Sequence, residues 1–359
     1  MVLTAPPLAL WVVPVAELGG VARHVLDTAE VGVPGYRLVV QCPPGPLAER
    51  LRTLGAAVTT APVGPEHGVR ESVAAVRDAV RSLAPAVVHS HLSWADVVTA
   101  AATAGASSAV VTTEHGIAAD DLVYHGTAWR SRLKVALHTA RLRRADAVIA
   151  VSQATAETLR AKWHPGRGTA VHVVPNGVDP LPVAPPRAPG LHVCSVARLA
   201  PEKRLDDLLR AFAVLHARRP EARLTLAGTG PEEAALRALV ADLGLTGVVG
   251  LPGHVDAPAL LARADVLVQL SVWENCSYSL LDALVHGVGA VATPVGGNPE
   301  ILPADALVEA SDAERVADAV ERQALDPTTR PTLPAGWPTR ADMTAGIAGV
   351  YDSVTGNLR

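Results

Sequence analysis

The chain has 359 residues, of which 49% are hydrophobic and only 3% aromatic, so its core must be packed mainly with Ala, Val and Leu. This amount of apolar material can fill one large core or two medium ones. The formal net charge is −4, from 31 basic and 35 acidic residues. A protein that coats DNA or RNA is therefore excluded, because the chain carries no overall basic field.

The three cysteines are widely spaced and odd in number, which argues against a disulfide framework or a zinc knuckle. They are Cys42, Cys194 and Cys276. A reducing cytoplasm is therefore the expected location. The apolar N-terminal run lacks a basic region and has three prolines among its first 14 residues, so it predicts a buried strand and not a secretory signal. No apolar run reaches the roughly 18–20 residues that span a bilayer.

Short apolar runs alternate with amphipathic runs through the first half of the chain. The apolar runs predict strands at residues 8–13, 37–41, 56–60, 86–91, 109–114, 145–151 and 171–175. The amphipathic runs predict helices at residues 21–30, 47–54, 69–83, 95–103, 130–144 and 154–163. Strand–helix–strand repeats of this length predict right-handed crossovers and a parallel, doubly wound sheet.

A proline-rich stretch without periodicity follows, and then a second alternation begins. Its predicted strands are residues 192–197, 223–227, 247–251, 266–270 and 289–292. Its predicted helices are residues 205–217, 231–243, 258–262, 279–286, 313–325 and 340–351. We therefore predict four segments: an N-terminal Rossmann-like domain over 1–178, a linker over 179–190, a second Rossmann-like domain over 191–338, and a C-terminal helix over 339–359 that packs back on the first domain.

The run from Trp273 to Leu302 contains two acidic residues, Glu274 and Asp282, with seven residues between them. Glu274 follows a predicted strand and Asp282 lies in the next predicted helix, so both can face a pocket near the N-terminus of that helix. Free backbone amides there favour binding of an anion or of hydroxyl groups. The two carboxylates could accept hydrogen bonds from sugar or ribose hydroxyls. The alternative is that Asp282 is a solvated charge on the helix surface.

A second candidate run, Ser195–Phe212, places two cations directly after a predicted strand. Arg198 lies in the loop and Lys203 follows five residues later, just before the next predicted helix. A phosphate at this strand end would meet both cations, in charge-assisted hydrogen bonds worth roughly 1.5–3 kcal/mol each. The alternative is a surface loop with incidental charges.

These runs, taken in order, resemble the retaining family-4 glycosyltransferases over nearly the whole chain. The second half carries ARLAPEK, LAGTGPEE, LPGHV, a WEN-type acidic loop and VGGNPEIL, and the first half carries GGVARHV, VVHSHLSWAD, TTEHG, VSQATAE and VVPNGVD. The resemblance implies the GT-B fold, an α/β architecture with two Rossmann-like, doubly wound parallel-sheet domains that face each other across a cleft. It assigns the acceptor to the first domain and the nucleotide sugar to the second.

The resemblance also implies roles for individual residues. Arg198 and Lys203 would hold the donor diphosphate and stabilise the leaving nucleotide. Glu274 and His115 would lie close to the transferred sugar, and Asp282 stands where the family usually has a second Glu that holds the ribose. The other implied donor-binding residues act mainly through their backbone: Gly19, Gly20, Asn275, Cys276, Ser277, Gly253, His254 and Val255.

Two departures from the family pattern concern the sugar pocket. Asp282 is one methylene shorter than the usual Glu, and Glu274-Asn275-Cys276-Ser277 replaces the usual E-G-x-G stretch. These departures keep two further hypotheses open. One is a non-catalytic GT-B scaffold that binds a glycan or a protein partner, and the other is a sugar-nucleotide hydrolase or epimerase of the same fold.

The main hypothesis is a bacterial enzyme that moves a hexose from a UDP- or GDP-sugar to a hydroxyl of a small-molecule, saccharide or lipid-linked acceptor, for example in natural-product or cell-envelope glycoside synthesis. No cofactor is expected beyond the sugar donor. No metal is expected either, since the chain lacks a D-x-D motif, and His89 and His91 share a strand end with no obvious third ligand. The acceptor loops are expected at residues 63–71 and 117–129.

The predicted helix over 130–144 is basic and amphipathic. It could contact anionic lipid at the inner face of the membrane, as the resemblance to enzymes with membrane acceptors implies. The alternative is a solvated face of an ordinary surface helix.

Overall fold

The computed structural model describes residues 5–116, 136, 138–166, 168–181 and 188–356. The chain divides into two compact units, of which the first comprises Met1–Gly177 with Pro338–Arg359 and the second comprises Val178–Trp337. The predicted acceptor loop 117–129, the first part of the predicted helix 130–144 and the middle of the predicted linker lie outside the described residues. Among the described residues, no helix is both long enough and apolar enough to cross a bilayer.

The described part of the first unit is built on a seven-stranded parallel sheet in the order β3-β2-β1-β4-β5-β6-β7. Its strands are β1 (Leu8–Val12), β2 (Arg37–Cys42), β3 (Val58–Thr60), β4 (Val87–His91), β5 (Ala109–Glu114), β6 (Ala147–Ala150) and β7 (Ala170–Val173). The helices that cross between them are α1 (Gly20–Val31), α2 (Pro46–Thr53), α3 (Gly68–Leu83), α4 (Leu92–Ala102) and α5 (Gln153–Trp163).

The described part of the second unit has a five-stranded parallel sheet in the order β10-β9-β8-β11-β12. Its strands are β8 (His192–Val196), β9 (Arg223–Ala227), β10 (Val249–Gly253), β11 (Val266–Gln269) and β12 (Gly289–Ala292). Its helices are α6 (Leu205–Arg218), α7 (Glu233–Asp242), α8 (Ala257–Leu261), α9 (Tyr278–Val285), α10 (Asn298–Ile301) and α11 (Ala313–Leu325). Two doubly wound parallel sheets confirm the predicted fold class.

Most predicted elements agree with the observed ones to within one or two residues, but α4 begins at Leu92, three residues earlier than predicted. Leu92 has a φ of +73°, in the left-handed region that a leucine rarely adopts. This conformation turns the chain directly from β4 into α4, so the polar end of β4 runs into a helix without a connecting loop.

Strand periodicity divides the core of the first unit into two layers. Along β1, Ala9 and Trp11 pack with α1 and α2, whereas Leu10 and Val12 pack with α3 and α4. Side chains on a strand point alternately to opposite faces, so a strand covered by helices on both sides must be apolar throughout. β1 meets this condition, because all five of its residues are buried.

The last helix, α12 (Arg340–Thr355), belongs to the first unit. It begins with a capping box between Thr339 and Asp342, and its apolar face packs on the α1–α2 layer. Its Tyr351 hydroxyl accepts a hydrogen bond from Trp11 Nε1 and contacts His89 Nδ1, both at 2.6 Å. Because the indole N–H can only donate, the hydroxyl proton goes to His89 Nδ1, and His89 Nε2–H donates to Thr113 Oγ1.

We predict that Tyr351→Phe destabilises the first unit strongly. The change leaves the Trp11 N–H and His89 Nδ1 buried without their partner, at a cost of about 1–3 kcal/mol for each group. Tyr36→Phe is a matched control, because the Tyr36 hydroxyl donates to Asp352 at the surface, and its loss should cost at most about 1 kcal/mol. Urea unfolding of both variants measures the difference, and equal losses would contradict the assigned hydrogen-bond chain.

Candidate active site

The candidate residues of the second unit collect at one edge of its sheet. All five strands run parallel, so their carboxyl ends meet at this edge, where open α/β sheets bind ligands. Arg198 and Lys203 lie in the loop after β8, Gly253 ends β10, and Glu274 lies in the loop after β11. Asp282 lies in the second turn of α9, which begins after that last loop.

Two glycines after β9 let the β8 loop pass close to them. A Cβ on Gly228 would lie 1.9 Å from the carbonyl oxygen of Ala197, and a Cβ on Gly230 would lie 2.2 Å from that of Leu199. Thr229 between them accepts a hydrogen bond from the Leu199 N–H at 2.9 Å. Gly228-Thr229-Gly230 therefore fixes the backbone of the loop that carries Arg198 and Lys203.

The fold brings Lys203 and Glu274 together although they are 71 residues apart. Lys203 Nζ lies 2.5 Å from Glu274 Oε1, and the Ser271 hydroxyl donates to the same oxygen at 2.8 Å. The exposed fractions are 19% for the Lys203 side chain and 13% for the Glu274 side chain. An ammonium has three N–H donors and a carboxylate has two oxygens, so this partly exposed pair can also bind a polar ligand.

The loop after β12 supports the backbone of Glu274. Gly296 has a φ of +51°, and a Cβ on it would lie 1.6 Å from the Glu274 carbonyl oxygen. Both the backbone conformation and the close contact therefore require glycine at this position. Thr293 Oγ1 donates to the Ser271 carbonyl at 2.7 Å and ties the same two loops together. The VGGNPEIL motif therefore supports the Glu274 loop, a role that its sequence did not reveal.

Arg198 pairs with a carboxylate of its own loop. Its Nη2 lies 2.5 Å from Glu202 Oε1, and its side chain is 63% exposed whereas that of Glu202 is 7% exposed. Burial acts to raise the pKa of Glu202, but the hydrogen bond from Arg198 and the nearby charges hold that pKa below its usual value. The Glu202 carbonyl accepts a hydrogen bond from the Val272 N–H at 2.8 Å, which ties the β8 loop to the Glu274 loop.

The other candidate residues of the second unit occupy different surroundings. Ser277 caps α9, because its hydroxyl accepts from the Leu280 N–H at 3.3 Å and from Gln269 Nε2 at 2.8 Å. Cys276 packs against the core beneath α9, and Asn275 is buried. The remaining three residues lie at the end of β10. Gly253 has a φ of +79°, His254 is exposed and Val255 is half-buried.

Gly19, Gly20 and His115 belong to the first unit. Gly19 caps α1 in an extended conformation that any residue can adopt, and Gly20 is the first residue of the helix. A Cβ on either glycine would meet nothing within 4 Å among the described residues. Packing within this unit therefore does not require glycine at either position, and the open space leaves room for a ligand beside the backbone.

His115 directly follows β5 and lies in a cluster of four histidines. Its Nε2 is 2.9 Å from His91 Nδ1, and the His24 ring stacks on Trp11 at 5.7 Å between centroids. His24 Nδ1 is 3.2 Å from Asn176 Oδ1. His24 lies inside the GGVARHV motif, but no local pattern singles it out as a site residue.

Burial keeps the imidazoles of this cluster neutral. It lowers the pKa of His24 from 6.5 to about 4. Burial and the neighbouring rings also lower the pKa values of His89, His91 and His115 well below the usual value. At neutral pH the cluster therefore offers uncharged rings, each with one N–H and one lone pair.

A buried ion-pair triad lies beside the histidines. The Arg141 guanidinium bonds to Asp96 and lies 2.5 Å from Glu114, and Glu114 directly precedes His115. Burial raises the pKa of Glu114 to about 7, against the attraction of Arg141. The Arg141 side chain is 1% exposed, so this residue of the predicted basic helix lies on its buried face.

We predict that acid destabilises the first unit. The folded chain holds the pKa of His24 at about 4 and the unfolded chain at 6.5, so the unfolded state binds more protons and is favoured as the pH falls. Between pH 7 and pH 5, His24 alone should lower the free energy of unfolding by about 2 kcal/mol. Glu114 opposes this trend, because its raised pKa favours folding at lower pH.

Urea titrations at pH 7 and pH 5, on the wild type and on His24→Asn, isolate the contribution of His24. Asparagine does not titrate, so the variant should lose about 2 kcal/mol less than the wild type over this range. The same pH dependence in both proteins would contradict a buried neutral His24.

Comparison with known proteins gives matches along both units. The family model described as Glycosyltransferase Family 4 matches residues 18–180, and the model described as Glycosyl transferases group 1 matches residues 190–326. These ranges contain the candidate residues of both units.

A glycosyltransferase assigned to colanic acid biosynthesis in Escherichia coli is 32% identical over 54% of this chain, and the chain spans about half, 52%, of that relative. Glycogen synthase of Mycobacterium tuberculosis is 28% identical over 94% of this chain and 92% of its own. The structure of Anabaena HepE in complex with UDP-glucose superposes with a TM-score of 0.75 at 20% identity, over 98% of this chain and 97% of that one. With matching family models on both units and this shared fold, the chain belongs to the family-4 and group-1 glycosyltransferases of the GT-B fold.

Proposed function

We propose that this protein is a retaining glycosyltransferase that moves a hexose from a UDP- or GDP-sugar to an acceptor hydroxyl. The observation that carries the proposal is the contact between Lys203 and Glu274 at the carboxyl edge of the second sheet. It joins a cation suited to a diphosphate with a carboxylate suited to sugar hydroxyls, on loops whose backbones are held by glycine contacts. The complex of Anabaena HepE with UDP-glucose supports this class of donor.

Arg198 and Lys203 are proposed to bind the donor diphosphate. Both sit on the loop after β8, and each now pairs with a carboxylate, Glu202 and Glu274 respectively. As the bond to the sugar breaks, negative charge grows on the leaving diphosphate, and two fixed cations stabilise it more than they stabilise the bound donor. The paired carboxylates hold both cations in position before the donor arrives.

The transfer step forms one bond and breaks one bond at the anomeric carbon. The bond to the diphosphate oxygen breaks, and the acceptor oxygen attacks from the same face, which retains the configuration. The acceptor proton passes to the leaving diphosphate oxygen, so no protein base is required. Glu274 and His115 are proposed to contact the transferred sugar.

The remaining donor contacts are proposed on the basis of position. Asp282 would bind the ribose hydroxyls, although its side chain is one methylene shorter than a Glu. Backbone groups would contact the sugar and the base, because Ser277 already uses its hydroxyl to cap α9. These backbone contacts are assigned to Gly19, Gly20, Asn275, Cys276, Ser277, Gly253, His254 and Val255. No metal ion is assigned to the donor.

We predict that Lys203→Met and Glu274→Gln each lower kcat by about 100-fold or more, because each removes a charge that acts on the transition state. Turnover is measured with UDP- and GDP-hexoses and a panel of hydroxyl acceptors, after circular dichroism has shown that each variant is folded. Lys162→Met, on α5 of the first unit, is the matched control and should keep the wild-type rate. A near wild-type rate for Lys203→Met would remove this residue from the mechanism.

We further predict that one nucleoside diphosphate stabilises the protein selectively, with or without Mg²⁺. A ligand at 100 times its Kd adds about 2.7 kcal/mol to the free energy of unfolding, which thermal denaturation detects readily. UDP, GDP, ADP and dTDP are compared, and Arg198→Ala should abolish the shift.

The outcomes of these two measurements separate the alternatives. Stabilisation by a nucleotide without turnover of any donor would favour the non-catalytic scaffold. Consumption of the donor at an undiminished rate without acceptor would favour a hydrolase or epimerase. Absence of any nucleotide shift would contradict the donor site itself.

A further inference from the structure

Three histidines of the first unit converge from three different elements. His24 lies in α1, His91 ends β4, and His115 follows β5. One ring nitrogen of each lies within 4.8 Å of one ring nitrogen of each of the others. The sequence offered His89 and His91 as a pair without a third partner, and the fold supplies His24 and His115 instead.

The hydrogen bonds of His89 distinguish it from the other histidines of the cluster. Both ring nitrogens of His89 have partners, Tyr351 and Thr113, so this residue has no lone pair to offer. His24 and His91 differ, because the Nε2 atom of each is buried and has no hydrogen-bond partner among the described residues. His24 is 1% exposed and His91 is 0% exposed.

The partner of His24 decides which of its nitrogens carries the proton. Nδ1 lies 3.2 Å from Asn176 Oδ1, an oxygen that can only accept, so Nδ1 carries the hydrogen and Nε2 carries a lone pair. A ligating imidazole typically donates its other N–H to such an oxygen, which fixes both the tautomer and the ring orientation. His24 is therefore prepared to bind an electrophile through Nε2.

The Nε2 atoms of His24 and His91 are both buried without a hydrogen-bond partner among the described residues, and a buried polar atom without a partner costs free energy. A buried acceptor could instead receive a hydroxyl or a water molecule, but three neutral imidazoles in one place are the ligand set that Zn²⁺ prefers. Ligand nitrogens around a tetrahedral zinc ion are roughly 3.3 Å apart, since each Zn–N bond is about 2.0 Å. The candidate ligand atoms of the three rings lie within 4.8 Å of one another, and two of the ring nitrogens, His91 Nδ1 and His115 Nε2, are 2.9 Å apart.

We propose that His24, His91 and His115 bind one Zn²⁺ ion per chain in the first unit. His24 would contribute Nε2, the nitrogen that its contact with Asn176 leaves with a lone pair, and the half-buried His115 completes the set. Three protein ligands leave a fourth position for water or another small ligand. The ion would tie α1 to the carboxyl ends of β4 and β5. The proposal does not depend on the proposed transfer activity, although His115 enters both.

The test is a zinc titration of the full chain after treatment with EDTA and dialysis, in competition with a chromophoric chelator and without nucleotide or sugar. We expect one equivalent of Zn²⁺ to bind. His24→Asn and His91→Asn should each weaken binding by at least about tenfold, as expected when a ligand is lost. His67→Asn, at a partly exposed histidine outside the cluster, is the matched control and should bind like the wild type.

His115→Asn provides a variant at the half-buried position, in case a substitution at His24 or His91 prevents folding. It should also weaken zinc binding at least about tenfold, and Co²⁺ should give the visible absorption of a tetrahedral site in the wild type but not in this variant. Zinc should also raise the melting temperature of the wild type and not that of His115→Asn. Weak binding of equal strength in the wild type and all variants would overturn the proposal.

Discussion

Parallel strand pairing is the constraint on which both candidate sites depend. Within each unit, every strand ends at the same edge of its sheet, so residues that follow different strands meet there although they are far apart in sequence. In the second unit this brings Lys203 to Glu274. In the first unit it brings His91, at the end of β4, to His115, just after β5.

Backbone contacts through glycine hold the loops at the edge of the second sheet. Gly228, Gly230 and Gly296 each lie where a Cβ would overlap a carbonyl oxygen of a neighbouring loop. Loops held this way keep Lys203 and Glu274 in place without a large apolar core of their own. Preorganised charges of this kind stabilise a transition state because little reorganisation is needed as charge develops.

The first unit buries several polar side chains beside its sheet. The Trp11–Tyr351–His89–Thr113 chain pairs its buried donors with acceptors, and Arg141 compensates the buried carboxylates. Polar networks of this kind are stable only when nearly every member has a partner. The Nε2 atoms of His24 and His91 are among the buried atoms of this unit that have no hydrogen-bond partner within the described residues, and the proposed zinc ion would give them a partner.

The sequence by itself determined the fold class, most element boundaries and the family, and it singled out Arg198, Lys203 and Glu274 as candidates, because periodicity and short motifs are local properties of the chain. Only the tertiary structure showed that Lys203 contacts Glu274, that His24 joins the histidine cluster and that Arg141 is buried. Arg141 lies in a run rich in basic residues, and nothing in that run distinguishes a buried arginine from an exposed one. Contacts between distant segments depend on strand order and on which helix covers which face, and no local pattern encodes either.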